Sequence, residues 1–197
     1  MRYLVMIAMF LSIATITFSQ DTEPRRAKFV FGIDRSFYGY ESYEATSFYL
    51  GFSPVNRFVV YGSGGFLGDG SNKGGSYGGG LTYGVICQSC DSEIPINLNA
   101  SIGYQRTNFD SRSHNWLAGG VNISRSLRIS DVLSVMPSIS GSYNIATATF
   151  DEFVGSGNFF AYGASLNFLA NGILAFVRYQ KYPITSFNLS LGSEFYF

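Results

Sequence analysis

The chain reads as all-β, a closed antiparallel transmembrane β-barrel of about ten strands in up-and-down meander order. Three observations predict it. Segments along the whole chain alternate with period two, bulky apolar side chains against small uncharged polar ones, as expected when successive side chains leave a pleated strand on opposite sides. Beyond the N-terminus no apolar run approaches the roughly 20 residues a membrane helix needs, so any crossing is made by strands. The last hairpin, 173–197, ends on Phe195, Tyr196 and Phe197, bulky aromatics that a fraying terminus in water would leave stranded and that an aromatic girdle at a lipid boundary would house.

Composition agrees. Of 197 residues 13% are charged and 17% aromatic, too few charges to coat a soluble domain of this size. Basic and acidic residues balance at 13 each, so the basic footprint of a nucleic-acid binder is missing. Met1 and Arg2 precede an apolar stretch from Tyr3 to Phe18, and Thr17-Phe18-Ser19 offers a signal-peptidase site before Gln20. Residues 1–19 are therefore expected to be a signal peptide, 20–26 a loose leader, and 27–197 the barrel. No cysteine follows the apolar run to take a lipid anchor.

Strand one starts at Lys28, with Phe29, Phe31 and Ile33 on one face and Lys28, Val30, Gly32 and Asp34 on the other. Residues 35–44 read as a polar loop. Phe48, Leu50 and Phe52 mark strand two, and Ser53-Pro54-Val55-Asn56 a tight turn. Strand three, 57–66, leaves its outer face open, because Phe58 and Val60 compete with Val59 and Tyr61. The glycine-rich loop 67–75 has no following helix and so is no phosphate cradle. Tyr77 to Val85 is strand four, and 87–95 a connection. Strand five alternates most cleanly: Ile96, Leu98, Ala100, Ile102 and Tyr104 against Asn97, Asn99, Ser101, Gly103 and Gln105.

Residues 106–114 read as a loop, followed by strand six through Leu117, Val121 and Ile123 and a turn at 126–131. Strand seven, from Leu133 to Tyr143, contains Pro137, which cannot donate to a ladder and predicts a bulge or bend. A loop, 145–157, leads to strand eight with Phe160, Tyr162, Leu166 and Phe168 outward, then the Ala170-Asn171-Gly172 hairpin turn and the final pair, joined by a short turn at 181–184. Connections after strands two, six and eight are tight and most others longer and more polar, the asymmetry of a barrel with short periplasmic turns and external loops. An even strand number leaves both termini in the periplasm.

In a soluble barrel the apolar face would turn inward and charges would coat the outside. Here the polar face carries Asn, Ser, Gly, Thr and Gln, which suits a packed wet interior, so the apolar face is expected to meet lipid. The chain resembles the small bacterial outer-membrane β-barrel proteins, the OmpA/OmpX-like group in the broad sense, over Gln20 to Phe197. The resemblance implies an outer-membrane location and a C-terminal signal, Leu191, Phe195 and Phe197, presented to the barrel-assembly machinery. The signal ending before Gln20 is similar to those of Bacteroidota. Ten strands, where many such proteins have eight, is a departure.

Candidate sites are few. Cys87 and Cys90 have the spacing of half a zinc site or a redox dithiol, but with no second pair and one distant histidine a local disulfide is the expected state; no metal or cofactor is expected. His114, the one histidine, stands near Asp110, Ser111 and Ser113, which invites a hydrolase reading against the plainer one of a solvated loop residue. Barrel proteases of the omptin type and lipid A deacylases work near the outer rim, but their motifs are absent. Lys28, Asp34, Arg178 and Glu194 are the expected lumen charges: Lys28 with Glu194 as an ion pair near the periplasmic end, and Asp34 with Arg178 higher, across an interior also filled by Tyr49, Phe176 and Tyr196. The expected role is non-enzymatic, structural or interactive, with loops 35–44, 67–75, 106–114 and 145–157 as contact surface. Its partners would be lipid, the assembly machinery and an unspecified extracellular or periplasmic protein. A narrow porin-like channel comes second and a His114 hydrolase third.

Overall fold

A computed structural model describes residues 28–38, 44–55, 57–68, 73–88, 94–109, 112–150, 153–171, 173–182 and 184–196. Ten long strands follow in chain order: β1 Lys28–Tyr38, β2 Glu44–Val55, β3 Phe58–Gly68, β4 Lys73–Ile86, β5 Asn97–Phe109, β6 Arg112–Ser124, β8 Leu133–Phe150, β9 Phe153–Ala170, β10 Ile173–Tyr182 and β11 Ile184–Tyr196; a two-residue strand, β7 Leu127–Arg128, lies in the turn before β8. Sequential neighbours pair antiparallel, β6 pairs with β8, and β1 pairs with β11, so the predicted meander closes into a ring. Among the described residues no helix is long and apolar enough to cross a membrane.

The ladders fix the barrel's shape. Pairs traced from Ile33 through Phe48, Gly64, Tyr77, Arg106, Asn115 and Thr147 reach Ser156 on β9. Traced the other way, through Leu191 and Ala175, they reach Phe168, so the ring closes with a stagger of 12 residues. Ten strands with that stagger tilt by about 40° and enclose a backbone radius of about 10 Å, little more than facing side chains fill.

The outer face is apolar. Phe48, Leu50, Ile102 and Ile139 are all more than half exposed, and Phe31, Val60, Leu81, Val121 and Leu166 continue the belt. Tyr77, Tyr104, Tyr143, Tyr162 and Tyr179 ring its distal margin, and Phe29, Phe52 and Tyr83 its other margin, Phe29 stacked on Phe52 at 4.6 Å. Tyr77 and Val85, both outward on β4, set the margins about 20 Å apart along the axis, close to an apolar membrane band. A continuous greasy belt of this extent would not be left in water, and the closed sheet pairs its backbone internally as lipid demands. The fold is a transmembrane β-barrel. On β5 Ile102 faces out and Leu98 is half-buried; the side chains of Leu189 and Leu191 lie outside the described residues.

Several sequence expectations need correction. Strands extend well into the four segments read as long loops: β1 reaches Tyr38, β3 Gly68, β5 Phe109 and β8 Phe150, and their partners resume at Glu44, Lys73, Arg112 and Phe153. Polar outward residues such as Arg35, Asn115 and Thr147 mimic loop composition, yet they are strand residues rising above the apolar belt. Arg35 is ion-paired with Glu44 on β2 and donates to Thr46 Oγ1 at 3.3 Å. Pro137 causes no register shift against β9. Its carbonyl accepts from Arg125 N at 3.2 Å, so its missing N–H faces the same side, where β8's neighbour changes from β6 to β7 and little ladder is lost. Irregularities fall elsewhere, between Phe52 and Val55 and between Gly84 and Ile86.

Two tight turns place non-glycine residues at positive φ, Arg57 at 73° and Asn171 at 49°. Asn171 opens a two-residue loop between the paired Ala170 and Ile173, where a left-handed first residue matches the strand twist. Residues 1–27, which hold the expected signal peptide and leader, lie outside the described residues.

Candidate functional site

Inside the barrel the third-strand ambiguity is resolved: Val59 and Tyr61 turn inward, Val60 outward. With Val30 and Tyr49 they form a buried cluster on the inner wall of β1 to β3. Across from them β10 contributes Phe176 and Arg178, both buried, with the guanidinium 5.0 Å from the Phe176 ring centre. Asp34, on β1, is buried too and takes a 3.2 Å hydrogen bond from Ser36 Oγ. Asp34 and Arg178 are thus opposite charges buried in one lumen, and Asp34 Oδ1 meets no hydrogen-bond partner among the described residues. Opposite charges buried in a low-dielectric interior attract, and either one alone would cost several kcal/mol. Aromatic bulk and this charge pair occupy one side of the lumen at mid-height.

The facing wall is made of small residues. Ser101 on β5 pairs with Gly120 on β6, Gly120 with Ser142 on β8, and Ser142 with Ala161 on β9, a continuous strip across four strands. Between this strip, Gln180 and Arg178 lies a small cavity of about 30 Å³, partly open to solvent. Below it amides and hydroxyls knit the wall: Ser138 Oγ to Ser165 Oγ at 2.6 Å, Asn167 Nδ2 to Met136 O at 2.9 Å, and Asn122 Nδ2 to Ile139 O at 3.3 Å.

Nearer the distal rim, Trp116 packs edge-on against Phe159, ring centres 5.4 Å apart. Thr107, His114 and Asn144 are buried around them. His114 is therefore no solvated loop residue: it pairs with Thr107 and Ala148 within the sheet and faces the lumen. Its neighbour Ser113 points to the other face of the same strand, so these two cannot act on one substrate atom. Asp110 and Ser111 lie outside the described residues. Among the described residues no group of three or more His, Cys, Asp or Glu could hold a metal ion.

At the opposite end Cys87 is disulfide-bonded and fully buried, while Cys90, the chain's other cysteine, lies outside the described residues. The backbone register puts Lys28 opposite Tyr196 and Val30 opposite Glu194, a diagonal relation; the side chains of Lys28, Glu194 and Tyr196 lie outside the described residues, as do those of Leu191 and Phe195 and the whole of Phe197. Sequence reasoning singled out Asp34, Tyr49, Phe176 and Arg178 but passed over Tyr61, Trp116 and Phe159. The parity of β6 would have found Trp116, since its outward Leu117 forces Trp116 in; the sequence reading starts that strand at Leu117, one residue too late.

No protein-family model matches the chain, and no curated protein matches it. Among solved structures it is similar to the translocator domain of the autotransporter NalP from Neisseria meningitidis, at 11% identity and TM-score 0.47, covering 99% of this chain and 93% of that one. It is also similar to LpxR from Salmonella typhimurium, at 6% identity and TM-score 0.47, covering 89% and 85%, and to the KdgM porin, at 7% identity and TM-score 0.44, covering 84% and 99%. None of these likenesses assigns a role to a residue of this chain.

Proposed function

We propose that the chain is a non-enzymatic bacterial outer-membrane protein with an occluded lumen, oriented with its termini in the periplasm, whose work is done at its distal, external rim. One observation carries this reading. At mid-height Asp34, Tyr49, Tyr61, Phe176 and Arg178 are all buried, which favours a filled barrel, whereas the strands of the distal rim stand clear of the apolar belt. The expected contact surface moves accordingly, from four long loops to the strand ends themselves. The signal-like residues 1–19 and the aromatic C-terminus with Leu191, Phe195 and Phe197 support delivery to the outer membrane and recognition by its assembly machinery. Planar-bilayer recording of the refolded protein tests the reading: a silent bilayer is expected, and stable unitary openings would overturn it.

The cavity beside Arg178 favours a second reading, a narrow path for small polar solutes past the aromatic cluster. On that reading the wild-type protein conducts, and filling the cavity with Ser140→Phe closes it.

A further inference from the structure

Tracing the sheet upward from the apolar belt, β10 leaves β9 early. Their last pair is Lys181 with Tyr162, at the level of the outward Tyr162 and Tyr179, whereas β9 continues to Phe153 and stays paired with β8 up to Phe150. Over residues 153–158 no described strand pairs with the other edge of β9. That leaves six residues of strand, about 20 Å long, with alternate N–H and C=O groups directed at solvent on the distal side of the membrane belt. Pro183 follows β10 in sequence and has no N–H with which to prolong the ladder.

We propose that this free edge of β9 is a docking site for an extended polypeptide, which joins the barrel sheet as an additional antiparallel strand. The proposal deepens the reading of an external working rim and rests on it. A row of backbone donors and acceptors at strand spacing is matched by another strand's backbone. The edge also lacks the devices that keep strand edges from pairing: residues 153–161 contain no Lys, Arg, Asp, Glu or Pro. Val154 is 70% exposed, and residues 155–158 are exposed on both faces. A Cβ built on Gly155 or on Gly157 would meet nothing within 4 Å, so there is open space where an incoming strand would lay its side chains.

The occupant follows from continuity with the existing ladder. An added strand continues the line of β10 and runs antiparallel to β9. A second copy in the same membrane would present its own β9 running the same way, parallel rather than antiparallel, which disfavours a dimer through this edge. The fitting partner is an uncharged extended segment with bulky side chains at alternate positions, lying over Gly155 and Gly157 where cross-strand contact is unfilled.

The probe is a synthetic peptide of residues 144–150, which pairs natively with residues 153–159 from the other side, together with a version carrying tyrosine in place of Ala146 and Ala148. Full-length refolded protein in nanodiscs, which leave both ends in solvent, is titrated with fluorescein-labelled peptide and followed by amide hydrogen exchange. Saturable binding is expected, at least tenfold tighter for the tyrosine peptide, with at least tenfold slower exchange at alternate amides within 154–158. The double variant Ser156→Lys/Asn158→Lys should weaken binding at least tenfold while leaving Trp116 fluorescence unchanged. Absence of saturable binding, protection confined elsewhere, or binding indifferent to the two lysines overturns the proposal; so does self-association of the wild type that the lysines abolish, which would make a second copy the occupant. A tag at the β8–β9 tip that is unreachable on intact cells sinks the external placement alone, and so separates that failure from failure of the edge.

Discussion

Gln88 and Ser126 hold each other by two hydrogen bonds, Gln88 Nε2 donating to Ser126 O at 3.0 Å and Ser126 N donating to Gln88 Oε1 at 2.8 Å. Gln88 N also donates to Asn97 Oδ1 at 2.8 Å. One side chain thus ties the β4–β5 connection to the turn after β6, beside the disulfide-bonded Cys87. Truncation of this amide leaves two part-buried backbone groups to water. Gln88→Ala is expected to lower stability by about 1–3 kcal/mol, at 0.5–1.5 for each lost bond. Urea unfolding in lipid vesicles, followed by the single tryptophan, should show a lower midpoint with unchanged membrane insertion.

The lipid face gives a sharper contrast. Ile102 is exposed in the middle of the apolar belt, and its neighbour Ser101 borders the lumen cavity. Ile102→Arg should cost about 2–4 kcal/mol if the side chain lies at the bilayer midplane. Ser101→Asn places a polar group on a polar wall and should fold into vesicles with the wild-type midpoint. Equal effects of the two substitutions would mean that the outward face does not meet acyl chains.

Asp34 and Arg178 supply a double-mutant test of the lumen. Asp34→Asn and Arg178→Gln each remove one of two opposite buried charges; each single change should cost about 1–3 kcal/mol, as when a buried polar group loses its compensation. The double variant keeps both shapes and removes both charges, so its loss should be much smaller than the two single losses combined, with a coupling of at least about 1 kcal/mol. Additive losses in the same vesicle unfolding assay would show that the two charges do not sense each other.

The meander and its two faces were legible because a membrane barrel writes its orientation into period two: Ile102 and Gly103, or Tyr162 and Gly163, cannot exchange places without turning a whole strand over. Strand ends were not legible. Above the lipid belt the strict alternation of β8 and β9 gives way to Ala, Thr, Gly and Ser, so Thr147 and Ser156 look like loop although they lie in one ladder. His114 was misread for the same reason. The bridge from Gln88 to Ser126 joins residues 38 apart and leaves no periodic trace at all. The inward side of β3 was undecidable from Phe58 to Tyr61, four bulky residues in a row, until the pairing of Gly51 with Tyr61 set its parity.

Occlusion of the lumen can be undone by design. Tyr49 and Tyr61 are inward-facing neighbours on adjacent strands and belong to one buried cluster. Tyr49→Ala/Tyr61→Ala removes two rings from an interior that ten strands leave barely wider than its side chains, and the space vacated lies at the height of the existing cavity. Removal of that much aromatic area should also cost roughly 3–5 kcal/mol per ring if the site does not collapse, so folding is checked first by heat-modifiable mobility. In protein that passes this check, planar bilayers should show unitary openings absent from the wild type, and restoring either tyrosine should reduce their size. A folded double variant that stays silent would place the barrier elsewhere in the lumen, with the distal Trp116 and Phe159 pair the next to truncate.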